Sequence, residues 1–177
     1  MLASLRATMS GHWHKDRMKI APTETGCCIR VDGQGTMRHS PAVHDLAERT
    51  LVSNERATVV FDLSACDYLD STFLGCLIDL YRRFGGGDPP RYFIAAPAER
   101  RKTLLGPTNL DRLIPSLDAS PPVSGPWVNV PAVAEVKKSE LMRHVMDCHR
   151  ALAEVESPMR ATFARIAEQI ERELAKK

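Results

Sequence analysis

Between residues 26 and 105, short apolar runs alternate with stretches in which apolar side chains return every three or four positions. Residues 26–31 form an apolar, β-branched run that the turn formers Asp32, Gly33 and Gly35 close, which predicts a strand and a turn. Ser40 and Pro41 then supply an N-cap and a first-turn proline. Val43, Leu46, Ala47, Thr50 and Leu51 carry helical spacing through about three turns.

The run over residues 57–63 is almost unbroken in its apolar character, as expected of a central strand covered on both faces. A short acidic stretch leads to a helix with Phe73, Leu77, Leu80, Tyr81 and Phe84 on one face, and Gly85, Gly86 and Gly87 stop it. Residues 91–96 predict a third strand, and Pro97 opens another helix toward Leu105, with a further turn or two around Leu110, Leu113 and Ile114. Strands alternating with helices of this length predict an α/β fold with parallel pairs and helical cover.

Past residue 115 the texture changes. Five prolines and Gly125 between residues 115 and 131 rule out a regular helix and predict a linker or a strapped extended segment, with Trp127 as a plug over an apolar patch. Leu141, Val145, Cys148, Leu152 and Val155 then step by four and three. The rhythm resumes after Ser157 and Pro158 at Met159, Phe163, Ile166, Ile170 and Leu174. This predicts helices near 133–156 and 158–175, their stripe either folded back on the first domain or forming a dimer seam. The predicted organisation is a flexible segment over 1–19, an α/β domain over 20–120, a Pro-rich linker over 121–131 and a helical extension over 132–177.

Composition narrows the partners. A net charge of +2 over 177 residues creates no field that would gather nucleic acid or an anionic membrane. The five cysteines (Cys27, Cys28, Cys66, Cys76 and Cys148) contain no C-x-x-C pair, so neither a disulfide framework nor a zinc knuckle is expected, and a reducing compartment fits. No apolar run approaches the roughly 18 residues of a membrane span, so a cytoplasmic protein is expected. His12 and His14 around Trp13 read as a mobile polar terminus rather than metal ligands, and no cofactor is expected.

Chemistry concentrates where Asp70, Ser71 and Thr72 open the central amphipathic helix. A helix start offers unpaired amides and the positive end of the dipole, so a phosphate on Ser71 would meet waiting donors. Unmodified, Ser71 or Asp70 would serve as an ordinary N-cap. The segment VVFDLSACDYLDSTFLGCLIDLYRRF resembles the core of STAS domains, as in bacterial anti-sigma factor antagonists. Their hallmark is an apolar strand, a short loop and an Asp-Ser-Ser/Thr-Gly-Leu-Gly motif at a helix start, standing here as Asp70 to Gly75. The likeness spans roughly residues 20–120.

That resemblance implies a STAS-like mixed β-sheet covered by helices, here with a C-terminal helical extension, and a non-enzymatic regulator. It aligns Ser71, with Thr72 beside it, with the phosphorylated position. It implies a partner: an anti-sigma factor and serine kinase of GHKL-type ATP-binding fold, bound while Ser71 is free and released on phosphorylation, through a surface of Gly35, Thr36, Met37, Asp67, Asp70 and Phe73. The added charge beside Asp67 and Asp70 would act by local electrostatics, without refolding. Phe73 stands where the family has a small residue, and Gly35, Thr36 and Met37 replace its Leu-Asp pattern. A scaffold or accessory role in a stress-signalling or lipid-transport complex, self-associating through the C-terminal helices, is the alternative.

Other chemistries fare worse. Asp62 as a receiver-type phosphoacceptor lacks the acid pair that would hold Mg²⁺, and Asp62, Asp67 and Asp70 have no accompanying nucleophile for phosphatase chemistry. There is no G-x-S-x-G elbow, and His39, His44, His144 and His149 read as surface or cap residues. Cys148 and His149, adjacent on a helix, diverge by about 100° and cannot act as a dyad.

Overall fold

The computed structural model of the chain describes residues 17–132 and 137–176. In chain order the strands are β1 (Arg17–Pro22), β2 (Gly26–Gly35), β3 (Thr58–Asp62), β4 (Cys66–Leu69), β5 (Tyr92–Ala95), β6 (Ser116–Leu117) and β7 (Val128–Val130). The helices are α1 (Ser40–Ser53), α2 (Ser71–Phe84), α3 (Ala98–Leu105), α4 (Leu110–Leu113), α5 (Lys138–Ala153) and α6 (Arg160–Leu174). A 3-10 turn at Gly106–Thr108 joins α3 to α4.

The strands form one mixed sheet in the order β6-β5-β3-β2-β1-β7, with β4 paired to the far end of β2. The pairs β2–β3, β3–β5, β5–β6 and β2–β4 are parallel, whereas β1 runs antiparallel to both β2 and β7. Side chains alternate across the central strands. Ile29, Val59, Phe61, Tyr92 and Ile94 enter the helix-side core, while Cys28, Val60 and Ala95 face the opposite side. That opposite side is covered by Leu117 and Trp127, the latter with Arg30 stacked 4.3 Å from its ring centroid. Burial on both faces is why residues 57–63 read as a continuous apolar run rather than an alternation.

Several expectations need correction. Residues 17–19, assigned to a flexible terminus, begin β1, because Met18 is buried against the core and pairs with Val31 and Val130. The rest of that segment, with His12, Trp13 and His14, lies outside the described residues. The turn expected at 32–35 is strand instead: β2 continues to Gly35 through Gly33 (φ 82°) and a register shift that lets it pair with β4. The stretch over 121–131 is more than a linker, since Val128–Val130 adds to the edge of β1.

Of the two C-terminal helices, α5 and α6 span Lys138–Ala153 and Arg160–Leu174; the predicted positions 133–136 lie outside the described residues. Their apolar stripe is folded back within the chain. Cys148, Leu152 and Val155 are buried in the same core as α2, and Phe163 of α6 joins them. The part of the stripe formed by Cys148, Leu152 and Val155 is therefore covered by the chain's own α2.

Candidate functional site

Asp70 has extended backbone angles and accepts the Phe73 amide at 2.8 Å, which makes it the N-cap of α2. Its second oxygen accepts the Met37 amide at 2.7 Å, and its own amide donates to the Gly35 carbonyl at 2.9 Å. One side chain thus stitches the loop after β2 to the start of α2. With Asp70 capping, Ser71 takes the first helical position and its hydroxyl has no capping duty. The amides of Ser71 and Thr72, in the first turn, have no intrahelical acceptor by geometry, and Asp70 takes that of Phe73.

The Ser71 hydroxyl is committed elsewhere. It lies 2.9 Å from Nε2 of His149 on α5, across 78 positions of sequence. His149 Nδ1 lies 2.7 Å from the Val145 carbonyl, which can only accept, so Nδ1 carries the hydrogen and in the neutral ring Nε2 accepts from Ser71. His149 is 4% exposed and its ring meets Phe163 at 5.9 Å. This histidine is therefore no surface residue, and the apolar stripe of α5 contained the signal: it sits between Val145 and Leu152 on the inward side.

The remaining contacts repeat the pattern. Ser40, read as the N-cap of α1, is fully buried, and its hydroxyl meets His144 Nε2 of α5 at 2.7 Å; His39 occupies the cap position. Burial first, then neighbouring His44, pushes the His144 pKa down to about 4. His44 itself bonds Asp79 at 2.8 Å. Gly75 shows why the helices come so close: a Cβ there would lie 2.3 Å from the Cys148 carbonyl oxygen. Arg82 donates to the Ala151 carbonyl at 3.0 Å and pairs with Glu154, while Asn109 donates to the Glu156 carbonyl at 2.8 Å.

Of the residues expected to face a partner, Asp67 and Met37 are exposed and Thr36 is half-buried, with Met37 39% and Tyr68 52% exposed and Asp67 paired with Arg100 at 3.3 Å. Phe73 and Gly35 are buried. Phe73 is fully buried, its ring edge-on to Phe61 at 6.4 Å, and it occupies the space over Gly35, where an added Cβ would lie 3.1 Å from the Phe73 ring. The large residue at this point of the motif points inward and crowds nothing at Ser71. Thr72 is likewise buried, at 3% exposure, so Ser71 is the accessible hydroxyl of the pair.

Competing chemistries can be judged from the same geometry. Asp62 is buried beneath Ser64 and Arg30: it accepts Oγ and N of Ser64 at 2.6 and 2.9 Å and Nε of Arg30 at 2.8 Å. Burial pushes its pKa up, and these bonds more than offset that, leaving it below the ordinary carboxylate value. This is a structural carboxylate that closes the end of β3. All five cysteines are buried free thiols, and burial raises the pKa of each, Cys28 and Cys66 to about 11, so none is poised as a thiolate. Among the described residues no cluster of three or more His, Cys, Asp or Glu is arranged for a metal, and no helix is long and apolar enough to cross a membrane.

A mixed sheet whose short β4 leads a half-buried serine into the start of a helix is the α/β frame of this site. The STAS domain family matches residues 18–120, and the chain belongs to that family. No curated protein matches it. Among solved structures it is similar to an anti-sigma factor antagonist from Mycobacterium paratuberculosis, at 20% identity over 58% of this chain and 85% of that one, with a TM-score of 0.48.

Proposed function

We propose that this chain is a non-catalytic, protein-binding regulator that Ser71 phosphorylation switches. One observation carries the reading: Asp70 alone caps α2, which leaves half-buried Ser71 at the first helical position, where the helix dipole and first-turn amides favour an anion. The partner is an anti-sigma factor that doubles as an ATP-dependent serine kinase of GHKL-type fold, as the family resemblance implies. It binds the surface of Thr36, Met37, Asp67 and Tyr68 while Ser71 is unmodified. Met37 and Tyr68 supply the exposed apolar area that such docking needs, beside the carboxylate of Asp67.

In the transfer, Ser71 Oγ forms a bond to the γ-phosphorus of the nucleoside triphosphate, the β–γ bridging P–O bond breaks, the nucleoside diphosphate leaves and the hydroxyl proton is lost. About two negative charges are then added next to Asp67 and Asp70, and they repel an acidic or apolar partner face. Incubating the protein with ATP and cell lysate and mapping phosphosites by mass spectrometry is expected to place phosphate on Ser71. Against the kinase so identified, Ser71→Ala is expected to retain binding and Ser71→Asp to weaken it; equal affinities of the two would sink the switch.

A further inference from the structure

The C-terminal hairpin of α5 and α6 holds the serine that the switch depends on. Ser71 donates its only hydroxyl hydrogen to His149, a ring that is buried, fixed by the Val145 carbonyl and backed by Phe163 of α6. The same α5 crosses α2 at Gly75 with no room for a methyl group, one helical turn below Ser71. The hairpin has few other polar anchors on the first domain: Ser40–His144, Arg82 to Ala151 and Glu154, and Asn109 to the Glu156 carbonyl.

We propose that this hairpin is a lid latched on the unmodified Ser71 hydroxyl, and that a phosphoryl group on Ser71 expels it. The inference rests on Ser71 being the modified residue. Phosphorylation replaces the hydrogen that bridges Ser71 Oγ and His149 Nε2, 2.9 Å apart, with a phosphoryl group that a gap of that width cannot hold. Its charges are set against the His149 ring, which is 4% exposed and packed on Phe163. Asp70, adjacent to Ser71, adds a like charge at the cap. Because Phe163 packs on His149 and Arg150 pairs with Glu171, α6 leaves with α5 as one piece. Release bares the Gly75 face of α2 and the apolar stripe of α5 together, two surfaces that the unmodified protein withholds.

The test uses full-length protein with phosphoserine installed at position 71 by genetic encoding, so that no kinase is needed. Amide hydrogen exchange is compared with unmodified protein and with Gly75→Leu, which wedges the helices apart without touching Ser71. Phosphoserine is expected to accelerate exchange in 141–155 and 160–174 by at least about tenfold, with the amides of β3 and β5 unchanged. Gly75→Leu is expected to do the same. If that variant also loses protection in β3 and β5, His149→Ala replaces it, with faster exchange again expected in α5 and α6 alone. Unchanged or slower exchange in α5 with phosphoserine in place overturns the lid, whatever the wedge does. That result would leave Ser71 as phosphoacceptor to stand or fall on phosphosite mapping, whereas absence of phosphate there in lysate would remove the switch but not the latch.

Discussion

At the residue scale, the motif around Ser71 divides its labour in a way that the linear pattern left open. Asp70 and Ser71 are both good caps, and either assignment satisfies the first turn. The choice falls on Asp70 because its second oxygen also secures the Met37 amide, a contact made across the end of β2 that no local spacing encodes. Phe73 was legible as an inward helix position, yet it stands where the family has a small residue. Gly35 resolves the conflict by providing the hollow into which the ring fits. Gly35→Ala would place a methyl carbon 2.5 Å from Leu69 Cδ2 and against Phe73. It is expected to destabilise the protein by about 1–3 kcal/mol, measured as a lowered urea midpoint with unchanged slope. A midpoint within error of the parent would mean that the ring moves aside freely.

At the scale of elements, strands buried on both faces and the amphipathic α2 announced themselves in the sequence, since burial leaves a periodic record. Strand β4 did not. Its four residues run buried, exposed, exposed, buried, with Asp67 and Tyr68 both outward, so no alternation marks them as strand and an acidic loop would read the same. The histidines of α5 were misjudged for a related reason: a titratable residue on a helix is legible as polar, whereas its partner on another helix is not. His144 provides the test. It faces Ser40 and His44 of α1, Asp79 of α2 and Cys148 of its own helix, and its folded pKa of about 4 lies below the ordinary 6.5. The unfolded chain therefore binds the proton more readily. The contribution to stability is complete above about pH 6.5, declines as pH falls toward 4, and amounts to up to about 3 kcal/mol. Urea midpoints between pH 7.5 and 4.5 are expected to fall more steeply for the parent than for His144→Gln. Superimposable slopes would show that the folded protein protonates this ring as readily as the unfolded chain does.

For the whole molecule, the order β2, α1, β3, α2, β5, α3 and α4 followed from alternation of periods, whereas β1 and β4 left no such record. The docking of α5 on α2 was not legible either, because an apolar stripe records that something covers it without recording what. The two outermost strands are also short, two residues for β6 and three for β7, so the sheet presents little edge for another chain to extend.

The proline-rich segment leaves β6 at one rim of the sheet and rejoins it as β7 at the other, with Trp127 seated midway on the face between them. It works as a belt buckled at both sides. Severing the backbone once within residues 121–126 should therefore yield two pieces that travel as a single particle in gel filtration and part only in denaturant, since β7 stays zipped to β1 and α5 stays seated on α2. Fragments that separate in native buffer would mean that covalent continuity, and not the grip at each rim, keeps the tail half in place.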